Sequence, residues 1–176
     1  MHLEYLRLLY GYNDWANRHL LDAAEQLTPE QLQASDIGGY GSVQSTLVHT
    51  MDTEWAWLNV MLQGDARGID WESLEIDPAE VANVGAIRAR WAGIEAELQS
   101  FIAGLEGEGE KSPDRIVVWE GDAGAVRRRP VWQIMLHVFN HGTQHRSEVA
   151  AMLTRAGHSP GEMDLTRYLN IRDGLE

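Results

Sequence analysis

Apolar side chains recur along this chain near every 3.6 residues in four long stretches, the period that lays them on one side of an α-helix. Over residues 3–26 the periodic set is Leu6, Leu9, Tyr10, Asn13, Ala16, Asn17, Leu20 and Leu27. Thr28-Pro29-Glu30-Gln31 then supplies an N-cap, a proline at the first helical position and a glutamine at the capping-box position. A short extra turn is expected there, before Gly38-Gly39-Tyr40-Gly41 breaks it. Ser42 can cap a second helix that runs to about Gln63 and stops at Gly64. Its stripe is Gln44, Leu47, Val48, Met51, Trp55, Leu58 and Leu62, and residues 64–77 follow as a loop carrying Trp71. A third helix is expected from near Pro78 to near Gly104, with Val81, Val84, Ile87, Trp91, Ile94, Leu98 and Ile102 inward.

Glycines and charges at 107–114 mark a further break. Residues 115–120, the turn Gly121 to Gly124 and residues 125–129 then form a small irregular or hairpin insertion. Pro130 opens a fourth helix that ends near Ala156, with Gly157 after it, and a short helix around Leu165–Leu169 caps the assembly. Four long helices joined by long connections describe one all-α domain over residues 1–176, a four-helix bundle.

The chain has 176 residues, enough for one buried core. Its 27 acidic and 14 basic residues give a net charge of −13, which repels phosphate backbones and anionic lipid and argues against nucleic acid or membrane as partner. The one dense basic run, Arg127-Arg128-Arg129, is read as solvated loop charge. No apolar run approaches the roughly 20 residues of a membrane span, and no signal peptide is visible, so a cytoplasmic location is expected. Cysteine is absent. Any metal must therefore sit on imidazole or carboxylate, and any thiol chemistry must take its sulfur from a small molecule.

Three of the seven histidines, His137, His141 and His145, lie four residues apart in the fourth helix, in a stripe with Ile134, Val138, Val149 and Met152. Neighbours in that series share a face about 6 Å apart, close enough to converge on one ion. The outer two, about 12 Å apart along the axis, cannot share an ion at the usual bond lengths. One adjacent pair therefore binds, and the remaining histidine orients or packs. A lone buried histidine more commonly satisfies one hydrogen bond; an apolar-flanked pair weighs the two readings evenly. Among His2, His19, His49 and His158, only His49 falls in the middle of a helix. It projects away from the Met51–Trp55–Leu58 stripe, so either the second helix is buried on two sides, for example against a partner subunit, or His49 faces solvent.

Across nearly its whole length the chain resembles the DinB-like family, which includes the YfiT-type and bacillithiol-transferase proteins. The resemblance is carried by Tyr12-Asn13-Asp14-Trp15-Ala16-Asn17 and by Ser42-Val43-Gln44-Ser45-Thr46-Leu47-Val48-His49. It continues through residues 136–146, LHVFNHGTQHR, then Gly157 and the Asp164…Tyr168 tail. It implies a four-helix bundle, commonly a homodimer, with a divalent metal on His49, His141 and His145 and with His137 as a neighbour. The chain departs from the family at Gln144, Ser147 and Glu148. Glu148, one turn from His145, can serve as fourth ligand, base, ion-pair partner or hydrogen-bond partner of an imidazole.

Three neutral imidazoles around a divalent ion leave a position open, as in catalytic sites. Zinc or nickel is expected first, with manganese, iron or cobalt also acceptable to such donors. The ion lowers the pKa of bound water or holds a thiol as thiolate. The resemblance favours the second, transfer of a low-molecular-weight thiol to an electrophilic small-molecule substrate in detoxification or stress response. The alternatives are a water-using hydrolase or isomerase and a non-catalytic metal-binding stress protein. Arg146 is a candidate to position a carboxylate or to form a structural ion pair. Asn140, Trp15, Trp55 and Trp57 are candidate pocket residues.

Overall fold

A computed structural model of the chain describes residues 3–35 and 39–176; His2 and Gly38 lie outside them. The helices are α1 (Leu3–Ala24), α2 (Pro29–Gln33), α3 (Val43–Gln63), α4 (Val84–Gly104), α5 (Val131–Arg155) and α6 (Leu165–Arg172). Three strands, β1 (Asp65–Ala66), β2 (Ile116–Glu120) and β3 (Val126–Pro130), form one sheet in that order. The chain is therefore predominantly helical with a small three-stranded sheet, rather than all-α. No described helix is long and apolar enough to cross a membrane.

Helix boundaries follow local chemistry. Thr28 Oγ1 accepts from the Gln31 amide while the Gln31 side chain accepts from the Thr28 amide, closing the capping box at α2. Ser42 accepts from the Ser45 amide at the start of α3, and Gly64 ends that helix. The third long helix starts later than its apolar spacing predicts. Residues Pro78–Val81 form a separate 3₁₀ turn, and Asn83 caps α4 through the Ala86 amide. Val81 is still fully buried, which is why periodicity extended the helix through it.

Each long helix packs on two others, α1 on α4 and α5, and α3 on the same two. Leu6 and Leu20, Met51 and Leu58, Ile87 and Trp91, and Met135 and Val149 meet in the common core. Leu62, placed in the α3 stripe by its spacing, is instead 58% exposed, because the helix runs past the core at its last turn.

The insertion is a hairpin with Val118 opposite Arg128, and β1 adds a third, parallel strand to it. It is tied to both helices that flank the histidines. The Val118 amide donates to Gly64 O at 2.8 Å, Arg115 donates to Met61 O at 2.8 Å, and the Val131 and Trp132 amides at the start of α5 donate to Arg115 O and Pro113 O.

The core also holds a polar network. Buried Glu54 accepts from Asn13 Nδ2 at 2.9 Å and from Trp91 Nε1 at 2.7 Å, Glu95 accepts from Asn17 Nδ2 at 3.4 Å, and Asp14 accepts from Gln99 at 2.8 Å. Burial, reinforced by repulsion among these carboxylates, pushes Asp14 up to about 7 and Glu95 up to about 8. Both carboxyls bind their proton more tightly folded than unfolded. The resulting stabilisation is complete below about pH 4, where the unfolded carboxyls titrate, and fades as pH rises through about 8. The urea midpoint is therefore expected to fall between about pH 5.5 and pH 8.5, with a smaller fall in Glu95→Gln; a midpoint that rises in both proteins contradicts this electrostatic picture.

Candidate functional site

Helices α3 and α5 lie against each other, and His49 points from the first to the second. Its Nε2 lies 3.1 Å from His141 Nε2, which lies 3.1 Å from His145 Nε2. One ligand atom from each ring falls within 4.8 Å of the other two. Tetrahedral nitrogen donors at 2.0–2.1 Å from a common ion stand about 3.4 Å apart, so the spacing fits one divalent ion. Helix α3 is indeed packed on two sides, against α4 and α5 of its own chain, and His49 is half-buried rather than solvent-facing.

The surroundings favour lone pairs directed at the shared point. Glu148 Oε2 lies 2.6 Å from His145 Nδ1, which places the ring proton on Nδ1 and frees Nε2 to accept. Of the roles open to Glu148, this is the one its geometry serves. Burial, with the other imidazoles adding to it, holds His141 down at about 4 and lowers His49, so both rings are neutral at neutral pH. A single N–H at His141 cannot satisfy both facing nitrogens with good geometry, and His141 Nδ1 is buried with no partner among the described residues. Hydrogen bonding alone accounts poorly for three nitrogens facing one point. The three nitrogens could together hold one metal ion.

Tyr40, which helical periodicity could not reveal, covers the cluster. Its ring stacks on His49 at 3.6 Å and meets His145 edge-on at 5.6 Å. The placement depends on Gly39, whose backbone has a φ of +52° and where a Cβ would come within 2.5 Å of Thr46 Oγ1. The Tyr40 amide in turn donates to that oxygen at 3.0 Å. The only sequence signal was the pair of glycines flanking Tyr40.

The other candidates separate. His137 is exposed, one turn from His141 with 6.1 Å between ring centroids, and it lies outside the cluster, lining a cleft of about 910 Å³. Trp57 lines that cleft with Trp71 and Trp119, two aromatics that spacing did not assign to a site. Trp15 packs instead with His19 and Tyr168, Trp55 lies under Arg90, and Asn140 is exposed on α5 outside the cluster. Arg127 and Arg129, read as loop charge, belong to β3 and line the cleft.

Arg146 is buried, and its partners are neutral: Asn13 Oδ1, Asn17 Oδ1 at 3.2 Å and Thr143 Oγ1 at 3.1 Å. It thus ties α5 to α1 beside His145 through hydrogen bonds, where the sequence suggested an ion pair or a substrate contact. The guanidinium folds back over Gly142, where an added Cβ would lie 2.8 Å from Nη1. Glycine to alanine inside a helix ordinarily stabilises by about 0.5–1 kcal/mol. Here Gly142→Ala is expected to destabilise by about 1–2 kcal/mol, because it displaces a buried, hydrogen-bonded charge; a chemical denaturation midpoint above wild type contradicts that.

Protein DinB of Bacillus subtilis (strain 168) is 25% identical over 165 residues, an alignment that covers 92% of this chain and 91% of that protein. The model of the DinB family matches residues 1–174, essentially the full length. With the two helices that carry the three histidines inside the match, the chain belongs to the DinB family.

Proposed function

We propose that the four long helices act as a four-helix bundle that holds one divalent ion, zinc or nickel before other first-row metals, on His49, His141 and His145. The protein then transfers a low-molecular-weight thiol to an electrophilic small molecule. The observation that carries this reading is the convergence of three imidazole nitrogens, with no fourth histidine or carboxylate grouped with them among the described residues. Such a donor set leaves a coordination position for an incoming ligand. An ion held there supplies Lewis acidity, which lowers the pKa of a coordinated thiol or water.

The protein's own groups serve the rest. Glu148 keeps His145 in the tautomer that presents Nε2. Burial keeps His49 and His141 free of protons that would compete with the ion. Tyr40 screens one side of the cluster from water by stacking on His49. His137, between the cleft and His141, is within one helical turn of the site. With no cysteine in the chain, the sulfur comes with the small molecule.

Zinc- or nickel-loaded protein is expected to accelerate conjugation of cysteine or a glucosamine-based thiol to monochlorobimane, and His141→Ala to lose at least about 100-fold of that rate. Absence of any thiol-dependent rate, together with metal-dependent hydrolysis of an ester or amide panel, overturns thiol transfer in favour of water-based chemistry.

A further inference from the structure

The cleft beside the histidines has a recognisable chemistry of its own. Its volume of about 910 Å³ falls within the range of roughly 300–1,000 Å³ typical of small-molecule sites. Trp57 from α3, Trp119 from β2 and Trp71 from the segment after β1 form its apolar walls. Trp57 meets Trp71 at 5.8 Å and 67° and Trp119 at 5.1 Å and 89°, both edge-on. Edge-on pairs leave ring faces uncovered, so a flat apolar molecule gains contacts there that the tryptophans do not give one another. Trp71, still 37% exposed, has the most to gain.

The charge on the wall is opposite to that of the molecule. In the hairpin register Arg127 pairs with Trp119 and Arg129 with Val117, so these two arginines share the face that Trp119 presents, while Arg128 alternates to the other. Arg129 Nη1 donates to Arg128 O at 2.8 Å, which leaves its remaining N–H groups available. Among the described side chains no carboxylate lies within ion-pair distance of either guanidinium, although Glu120 also borders the cleft. Two such arginines on one small cleft, in a chain of net charge −13, form a local site for an anion. Guanidinium forks match the oxygens of an organic acid. His137, which also lines the cleft, lies with its ring centroid 5.6 Å from that of Trp57 and 6.1 Å from that of His141, which connects the cleft to the histidine cluster.

We infer that this cleft binds an organic acid with a flat apolar body, the acid group on Arg127 and Arg129 and the body against Trp57, Trp71 and Trp119. Its other end points toward His137 and His141. Assigning that ligand as the electrophile rests on the thiol-transfer reading; binding in the cleft does not.

The test is calorimetric titration of the metal-loaded protein, and of the chelator-treated protein, with 1-naphthoate, 1-naphthyl phosphate and neutral 1-naphthamide. An acid is expected to bind about tenfold more tightly than the amide with or without metal, and the tighter of the two acids identifies the acid group. Arg127→Gln with Arg129→Gln removes that preference and leaves the amide's affinity within about twofold, whereas Arg128→Gln, on the opposite face, leaves the preference intact. Trp71→Ala weakens acids and amide alike. Equal affinity for acid and amide in wild type, or a preference that survives in the double variant, overturns the inference. A retained acid preference without any thiol-transfer rate overturns the transfer reading alone, and a transfer rate without acid preference overturns the cleft assignment alone.

Discussion

Three imidazole nitrogens facing one point in a half-buried seam make an arrangement with an electrostatic need. Their nitrogen lone pairs repel one another, and one shared proton relieves at most part of that repulsion. The rest of the architecture bears on this meeting point because its donors come from two helices, and a small rotation of either would separate them. The start of α3 is set by the Ser42 cap and by the Gly39–Tyr40 turn, whose hydrogen bond to Thr46 brings Tyr40 over His49. The rotation of α5 is set one residue from His145, where Arg146 reaches across Gly142 to Asn13 and Asn17 of α1.

That arrangement explains why so much polar chemistry lies in the core. Arg146 is costly to bury, and its neutral partners satisfy its donors while the nearby Glu54 favours its charge. The carboxylates in turn retain protons well above the usual range, Glu95 at about 8. Stability is given up at neutral pH in a region that holds α1, α3, α4 and α5 in a fixed relation.

Much of this was legible from residues alone, for identifiable reasons. The caps at Thr28 and Ser42 are local chemistry, and both helices begin where those side chains dictate. The HxxxH spacing gives convergence within one helix, whereas the choice of His141 with His145, and the addition of His49, came from family resemblance because periodicity left His49 off the apolar stripe. Its two-sided burial arises from α4 and α5 together, a tertiary fact invisible along one helix. The strand β1 was missed because two residues carry no alternation and are held by a backbone pairing with residues more than fifty positions away. Trp71, Trp119, Arg127 and Arg129 sat in segments read as loop or as a low-content hairpin, and only the register Trp119↔Arg127 brings aromatic and cation onto one face. Trp15, within the family-like helix-one motif, packs on α6 through Tyr168, a tertiary contact that helix-one spacing does not reveal.

The convergence of imidazoles from α3 and α5 implies one ion shared between the two helices. Its most direct test is metal content of purified protein after saturation and desalting, wild type beside His49→Ala, by inductively coupled plasma mass spectrometry. The account predicts close to one divalent ion per chain in wild type and loss of most of it in a folded His49→Ala protein. Equal metal content in the two proteins, or none in wild type, contradicts it.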